Sequence, residues 1–173
     1  MPTRGLTLGE IGVLQSVFGN TLPYDDLEIT TNDANMGGAS NSITYSGRPH
    51  YSNEIWCVDF SSRGKATWTF VHEFGHVWQS IYGTAPIISW LGGVFRHPLD
   101  YGLNYAYDLR EHGNLLAYNI EQQASIVADY WAVSNGRSTK YCTNPLSPTT
   151  SDYAGLINQV QNASLPIQFD TWI

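Results

Sequence analysis

At 173 residues, with 42% hydrophobic and only 13% charged residues against about 25% charged in an average soluble domain, the chain is one domain's worth of material. It is excluded from the disordered and fibrous classes. Fifteen acids against eight bases leave a net charge of −7, without the clustered basic surface that phosphate recognition requires, so nucleic acid is excluded as a partner. No apolar run approaches the roughly 18 residues of a membrane helix, and the opening Met1-Pro2-Thr3-Arg4-Gly5 has no signal-peptide stretch, which predicts a chain made in the cytoplasm and not inserted in membranes.

In chain order, Thr7-Leu8-Gly9-Glu10 has the Ser/Thr-x-x-Glu form of a capping box, and Ile11, Leu14 and Phe18 recur behind it at helical spacing, predicting a helix of about twelve residues. Short β-rich pieces follow over Leu27–Thr31, Ile43–Ser46 and Glu54–Phe60, separated by Asn, Gly, Ser and Pro clusters, and predict a small sheet. A second helix is predicted over Ala66–Tyr82, stopped by Gly83 with Pro86 beyond, the usual stop chemistry. Thr84–Leu116 reads as a long loop rich in Gly, Tyr, Trp and Pro, of a kind that is usually functional in a compact domain. A third helix is predicted over Asn119–Ser134, closed by Asn135-Gly136, and a fourth over Ser151–Ala163. No repeat or linker divides the chain, so residues 1–173 read as a single α+β domain. Cys57 and Cys142 form no CxxC pattern, and Cys57 reads as a small buried hydrophobe rather than half of a bridge.

The second helix contains His72-Glu73-Phe74-Gly75-His76, an H-E-x-x-H motif. Histidines at i and i+4 stand one turn apart on one face, so both imidazoles reach a single Zn²⁺ while the glutamate between them addresses a water at the metal. On a helical wheel Phe70, Phe74, Val77, Trp78 and Ile81 share one arc and the histidines lie opposite. A solvated face would carry several charges, yet from Thr67 to Ile81 the only charged residue is Glu73, which predicts that this face is covered. Gly75 costs about 1 kcal/mol against alanine inside a helix, and close approach of another element accounts for it.

A catalytic zinc takes three protein ligands and keeps one open position. Gln79 and Tyr82 stand where a metzincin needs glycine and histidine, so that pattern is excluded. The downstream candidates for the third ligand are His97, Asp100, Asp108, Glu111, His112 and Glu121. Glu121 is the best of them: it opens a helix whose only other charge before Ser134 is Asp129, and an unpaired carboxylate in an apolar helix is costly unless coordinated. Ala124 and Ala128 leave room for two helices to approach.

Phe70-Val71-His72-Glu73-Phe74-Gly75-His76-Val77-Trp78-Gln79, followed by Asn119-Ile120-Glu121-Gln122-Gln123-Ala124-Ser125-Ile126-Val127-Ala128-Asp129-Tyr130, resembles the zincin metallopeptidase-like effector domains carried by type VI secretion spike (VgrG) and Rhs-type proteins. Leu6–Glu10 and Val17-Phe18-Gly19 are similar to their opening. The resemblance implies a bacterial origin, a zinc site of His72, His76 and Glu121, and Glu73 as catalytic acid/base. It also implies fusion to a spike protein, a cognate immunity protein, and a toxic role in a competitor's envelope, acting in the periplasm on a protein or peptide. Where the thermolysin pattern has an aspartate four positions after the ligand glutamate, this chain has Ser125. Asp129 is either the carboxylate that orients a ligand histidine or a helix-surface residue.

Tyr105 and Tyr107 in the loop, and His112 beyond it, are candidate donors to a developing oxyanion; the alternative is a loop packed by its own aromatics. His50 reads as a surface residue. The expected architecture is a small α+β zincin, a short twisted sheet whose edge strand lies above the H-E-x-x-H helix, with the Glu121 helix crossing beneath. The expected reaction is zinc-assisted amide hydrolysis. The alternative is a metal-stabilised, non-catalytic zincin serving as a binding module of a secretion apparatus, against which the intact Glu73 argues.

Overall fold

In the computed structural model, which describes residues 3–31, 42–62, 64–82 and 104–164, helix α1 runs over Leu8–Phe18 behind the predicted capping box, with Thr7 and Glu10 satisfying each other's backbone amides. Glu10 does more than cap. Its fully buried carboxylate is gripped by the Arg4 guanidinium through two 2.7 Å bonds and also accepts from the Phe60 amide at 2.9 Å.

Strands β1 (Thr3–Gly5), β2 (Glu28–Thr31), β3 (Ser42–Tyr45) and β4 (Arg48–Tyr51) form one sheet in the order β1-β2-β4-β3. The β2–β4 pair is parallel and the other two are antiparallel. A two-residue turn joins β3 to β4, with Ser46 and Gly47 both at positive φ (50° and 72°), the conformation that matches the twist of a hairpin.

Two of the three predicted strands are present, and the third is corrected. Glu54–Phe60 is not a strand: the Ile55 and Trp56 amides both turn back to the Ser52 carbonyl, Val58 is exposed, and a 3₁₀ turn begins at Phe60. Apolar content without a neighbouring strand to pair with does not make a strand. Conversely, β4 is hidden in the sequence by Pro49, which as a rule demotes a run, and β1 by its shortness. His50, read as a surface residue, is half-buried on β4, and burial lowers its pKa, with Arg48 adding to the effect.

The remaining helices fall within one or two residues of expectation: α2 over Lys65–Tyr82, α3 over Ile120–Ser134 and α4 over Thr150–Gln161. Asn119 caps α3 with a second capping box. One hydrophobic cluster joins α1, α2, α3 and α4, with Phe60 stacked on Phe70 at 5.2 Å between ring centroids. Cys57 and Cys142 form no disulfide with one another, and Cys57 is buried as expected. Among the described residues no helix is long and apolar enough to cross a membrane.

Helix α2 lies between the edge strand β3 and helix α3, which buries it on nearly every side. Gly75 is where α3 comes closest: a Cβ there would stand 2.9 Å from Ala124 Cα and 3.2 Å from Val127 Cγ2. The neighbour is backbone and cannot swing aside. Gly75→Ala is therefore expected to destabilise the chain by about 1–3 kcal/mol through overpacking, in spite of the about 1 kcal/mol that alanine gains in helix propensity. Urea unfolding checks this, and a neutral or stabilising outcome would show the helices free to separate.

Candidate metal centre

The site is assembled by the crossing of α2 and α3. His72 and His76, one turn apart on α2, face the first turn of α3, which contributes Glu121. His72 Nε2 stands 3.2 Å and His76 Nε2 3.3 Å from the same oxygen, Glu121 Oε2. These three residues form a group that could hold a metal ion, with ligand atoms all within 4.8 Å of one another. Two nitrogen donors and a carboxylate oxygen suit zinc. An ion about 2.1 Å from tetrahedrally disposed ligands spaces those ligands about 3.4 Å apart, close to the two distances found here.

The surroundings set the two rings differently. His76 Nδ1 donates to Gln79 Oε1 at 2.8 Å. The Gln79 amide nitrogen donates in turn to the Ile120 carbonyl at 2.8 Å and to Gln123 Oε1 at 3.1 Å, which settles which end of the amide faces His76. The hydrogen on Nδ1 leaves Nε2 as the nitrogen facing Glu121, and the same glutamine ties the histidine helix to the glutamate helix. We expect Gln79→Leu to leave the fold intact and weaken zinc binding by about 10–100-fold. A metal titration of the variant checks it, and unchanged affinity would reduce Gln79 to a packing residue.

His72 is held by a ring instead. Trp68 stacks on it at 5.1 Å between centroids, with the planes 21° apart, and Trp68 Nε1 donates to Asp129 Oδ1 at 2.7 Å. Asp129 thus meets neither of its two expectations. It is fully buried, so it is no surface residue, and among the described residues it bonds no histidine. Its oxygens accept from Trp68, the Tyr107 hydroxyl and the Lys140 and Tyr141 amides, and it reaches His72 through the indole it anchors. His72 Nδ1 and the Ser125 hydroxyl are both buried with no hydrogen-bond partner among the described residues.

Charge agrees with the geometry. Burial acts to lower the His76 pKa, but the Glu121 carboxylate outweighs it and raises the group to about 9. Burial likewise acts to raise Glu121, yet His76 and then His72 hold it well below the usual carboxylate range. Without a metal the site behaves as an imidazolium–carboxylate pair.

Glu73 is buried on the side of α2 that faces β3. Ser42 Oγ donates to its Oε1 and Thr44 Oγ1 to its Oε2, each at 2.7 Å. Residues i and i+2 of a strand point to one face, so β3 presents both hydroxyls to the same carboxylate. Sequence reasoning missed both; alternate Ser and Thr on a short strand have no mark that tells them from ordinary edge residues.

The other predicted residues divide. Tyr105 sits beside the site, its ring 5.5 Å from that of His72 and stacked at 5.1 Å on Tyr141. Tyr107 is corrected from oxyanion donor to core residue: its buried hydroxyl is spent on Asp129 and Tyr153, and burial raises its pKa far beyond the ordinary range. His112 is also corrected. It is exposed, edge-on to Tyr118 at 4.9 Å, and does not join the group. Of the rival third ligands, Asp108 pairs with Arg110 and Glu111 is exposed; His97 and Asp100 lie outside the described residues.

An α+β domain that converges two histidines and a glutamate between crossed helices, under an edge strand that holds the motif glutamate, is the class of protein that fold and site define together. No protein-family model matches the sequence. In an alignment 144 residues long that covers 76% of this chain, it is 31% identical to the type VI secretion system spike protein VgrG2b of Pseudomonas aeruginosa, of which it spans 13%. It is also similar to the solved structure of the effector domain of Pseudomonas aeruginosa VgrG2b, with a TM-score of 0.63 and 30% identity over 76% of this chain and 75% of that one. The chain belongs to the family of the VgrG2b effector domain.

Proposed function

We propose that this chain is a zinc-dependent metallopeptidase-like antibacterial effector domain of zincin type, which hydrolyses an amide bond in a protein or peptide of the target cell's envelope. The observation that carries the reading is the meeting of His72 Nε2 and His76 Nε2 on one oxygen of Glu121, with Glu73 adjacent to His72 on the same helix. His72, His76 and Glu121 would hold the zinc. When bound, zinc polarises a carbonyl and makes water more acidic. Glu73 takes the proton of the attacking water and delivers it to the leaving amine. Gln79 and Trp68 keep the two imidazoles in place, and Tyr105 is the tyrosine positioned to approach a substrate.

The family relation supports fusion to a secretion spike and carriage into a target cell; a cognate immunity protein as partner belongs to the same proposal and rests on no comparison. The expected asymmetry is one of place. Bacteria producing the chain in the cytoplasm should grow, and bacteria producing it with a periplasmic signal should round up or lyse. Equal harm from both compartments would point to a cytoplasmic target or a general peptidase.

A second reading has its own observation. Both Glu73 oxygens accept hydroxyl hydrogen bonds from β3, as they would in a carboxylate kept only to bind strand to helix, so the domain would be a metal-stabilised binding module. Substitution of Glu73 separates the two.

A further inference from the structure

We propose that the cavity beside Trp68 is a subsite for the carboxylate of an acidic peptide, placed next to the metal centre. As a substrate subsite it rests on the peptidase reading; as a carboxylate site it stands alone. The cavity measures about 720 Å³ and lies where the start of α2 meets the segment after α3. Lys65, Arg137 and Lys140 line it, three of the eight bases in a chain of net charge −7, with Glu54 the one carboxylate of the lining among the described residues.

None of the three bases is in an ion pair among the described residues, where the arginines that are paired are Arg4, Arg48 and Arg110. Two of them rest instead on indoles. Lys140 Nζ lies 4.2 Å from the Trp68 ring centroid, and Arg137 Cζ 5.6 Å from that of Trp131. A cation stacked on a ring keeps its N–H donors free at the edge.

The segment that carries them is held in place. The Arg137 amide donates to the Ala132 carbonyl at 2.9 Å and the Lys140 amide to Asp129 at 2.8 Å. Opposite, Gly64 sits at φ +60°, and a Cβ there would come within 2.9 Å of Arg137 Nη1. The φ of Gly64 is what requires a glycine, and the end of the Arg137 side chain lies in the space beside it. Trp68 belongs to both places, lining the cavity and stacking on His72. Trp68 is thus the link between the metal centre and the cavity, whose described lining holds none of His72, His76 and Glu121. Ile55, Ala66 and Ala132 line the cavity beside the cations, and such apolar lining suits the methylene stem of a glutamate side chain and offers nothing to inorganic phosphate.

The test uses the full chain as Glu73→Gln, so that no probe is cleaved, and follows the indole N–H resonances of Trp68 and Trp131. N-acetyl-Ala-Glu-Ala-amide should shift both saturably and bind about ten-fold more tightly than the glutamine counterpart, with Arg137→Gln and Lys140→Met each costing about ten-fold. Both substitutions are on exposed side chains, so the fold should persist. Equal affinity for the two peptides, no saturable shift, or binding indifferent to both substitutions overturns the proposal. So does inorganic phosphate binding more tightly than the acidic peptide. Charge-dependent binding by a wild-type chain that cleaves no peptide would leave the subsite standing and sink the peptidase reading; a zinc peptidase indifferent to peptide charge would do the reverse.

Discussion

Glu73→Gln should leave a folded, zinc-loaded chain that has lost at least about a hundred-fold in activity, the low end of what a positioned general base contributes. The substitution keeps the size of the side chain and one acceptor oxygen while removing the base. Ser42 and Thr44 each donate to a Glu73 oxygen, so glutamine satisfies one of the two hydroxyls through its amide oxygen and obliges the other to turn and accept. The loss should be catalytic and not conformational. Zinc content and melting temperature should match wild type while the periplasmic toxicity disappears. If a zinc-loaded Glu73→Gln chain keeps full toxicity, Glu73 is the structural carboxylate of the binding-module reading and hydrolysis is withdrawn.

His72→Ala, His76→Ala and Glu121→Ala should each cost most of the bound zinc, because three ligands share one ion. Elemental analysis decides this, and full occupancy in Glu121→Ala would remove Glu121 from the ligand set. Removing zinc from the wild type should lower its stability by about 4 kcal/mol at a thousand-fold excess of metal over its dissociation constant, hence the melting temperature by about 12 °C for a chain of this size.

The gap should depend on pH. In the metal-free fold His76 is raised from 6.5 to about 9, so its pairing with Glu121 stabilises that form fully below pH 6.5, and the contribution is lost as pH rises through about 9. Zinc takes the ring without that proton. The loaded form is spared the loss, and the difference in melting temperature between loaded and chelated protein should widen from pH 6.5 to 9. A constant difference across that window would mean that His76 does not give up a proton to the metal.

Much of the helical scaffold was legible because its signals are local. A capping box at Thr7 and Glu10, the Asn135-Gly136 stop of α3, and periodic apolar positions on α2 depend on residues at most four apart, which is the range over which a helix makes its own hydrogen bonds. The histidine pair has the same origin: i and i+4 share a face in any helix. Glu121 and Gly75 needed one further step, that a lone carboxylate in an apolar helix and a glycine inside a buried one each require an explanation from outside the helix. The sheet was harder. Two strands were found, while β1, β4 and the false strand at Glu54–Phe60 turned on which segment finds a partner, and that is not a property of the segment.

What the sequence by itself determined about this chain was therefore the helices and, on two of them, the His72, His76 and Glu121 group that could hold a metal ion. The tertiary structure alone decided how those residues are served. It turned Asp129 inward to anchor the indole on which His72 rests, withdrew Tyr107 into the core, gave His76 its orientation through Gln79, and laid Ser42 and Thr44 across Glu73. It also gathered Lys65, Arg137 and Lys140 around one cavity in a chain whose sequence shows no basic cluster. Each of these contacts joins positions that no helical or strand periodicity relates, apart from the four-residue step between Trp68 and His72 and the three-residue step between His76 and Gln79. Such pairings are set by how helices cross and strands stack, where burial of the whole core outweighs the preference of any one segment.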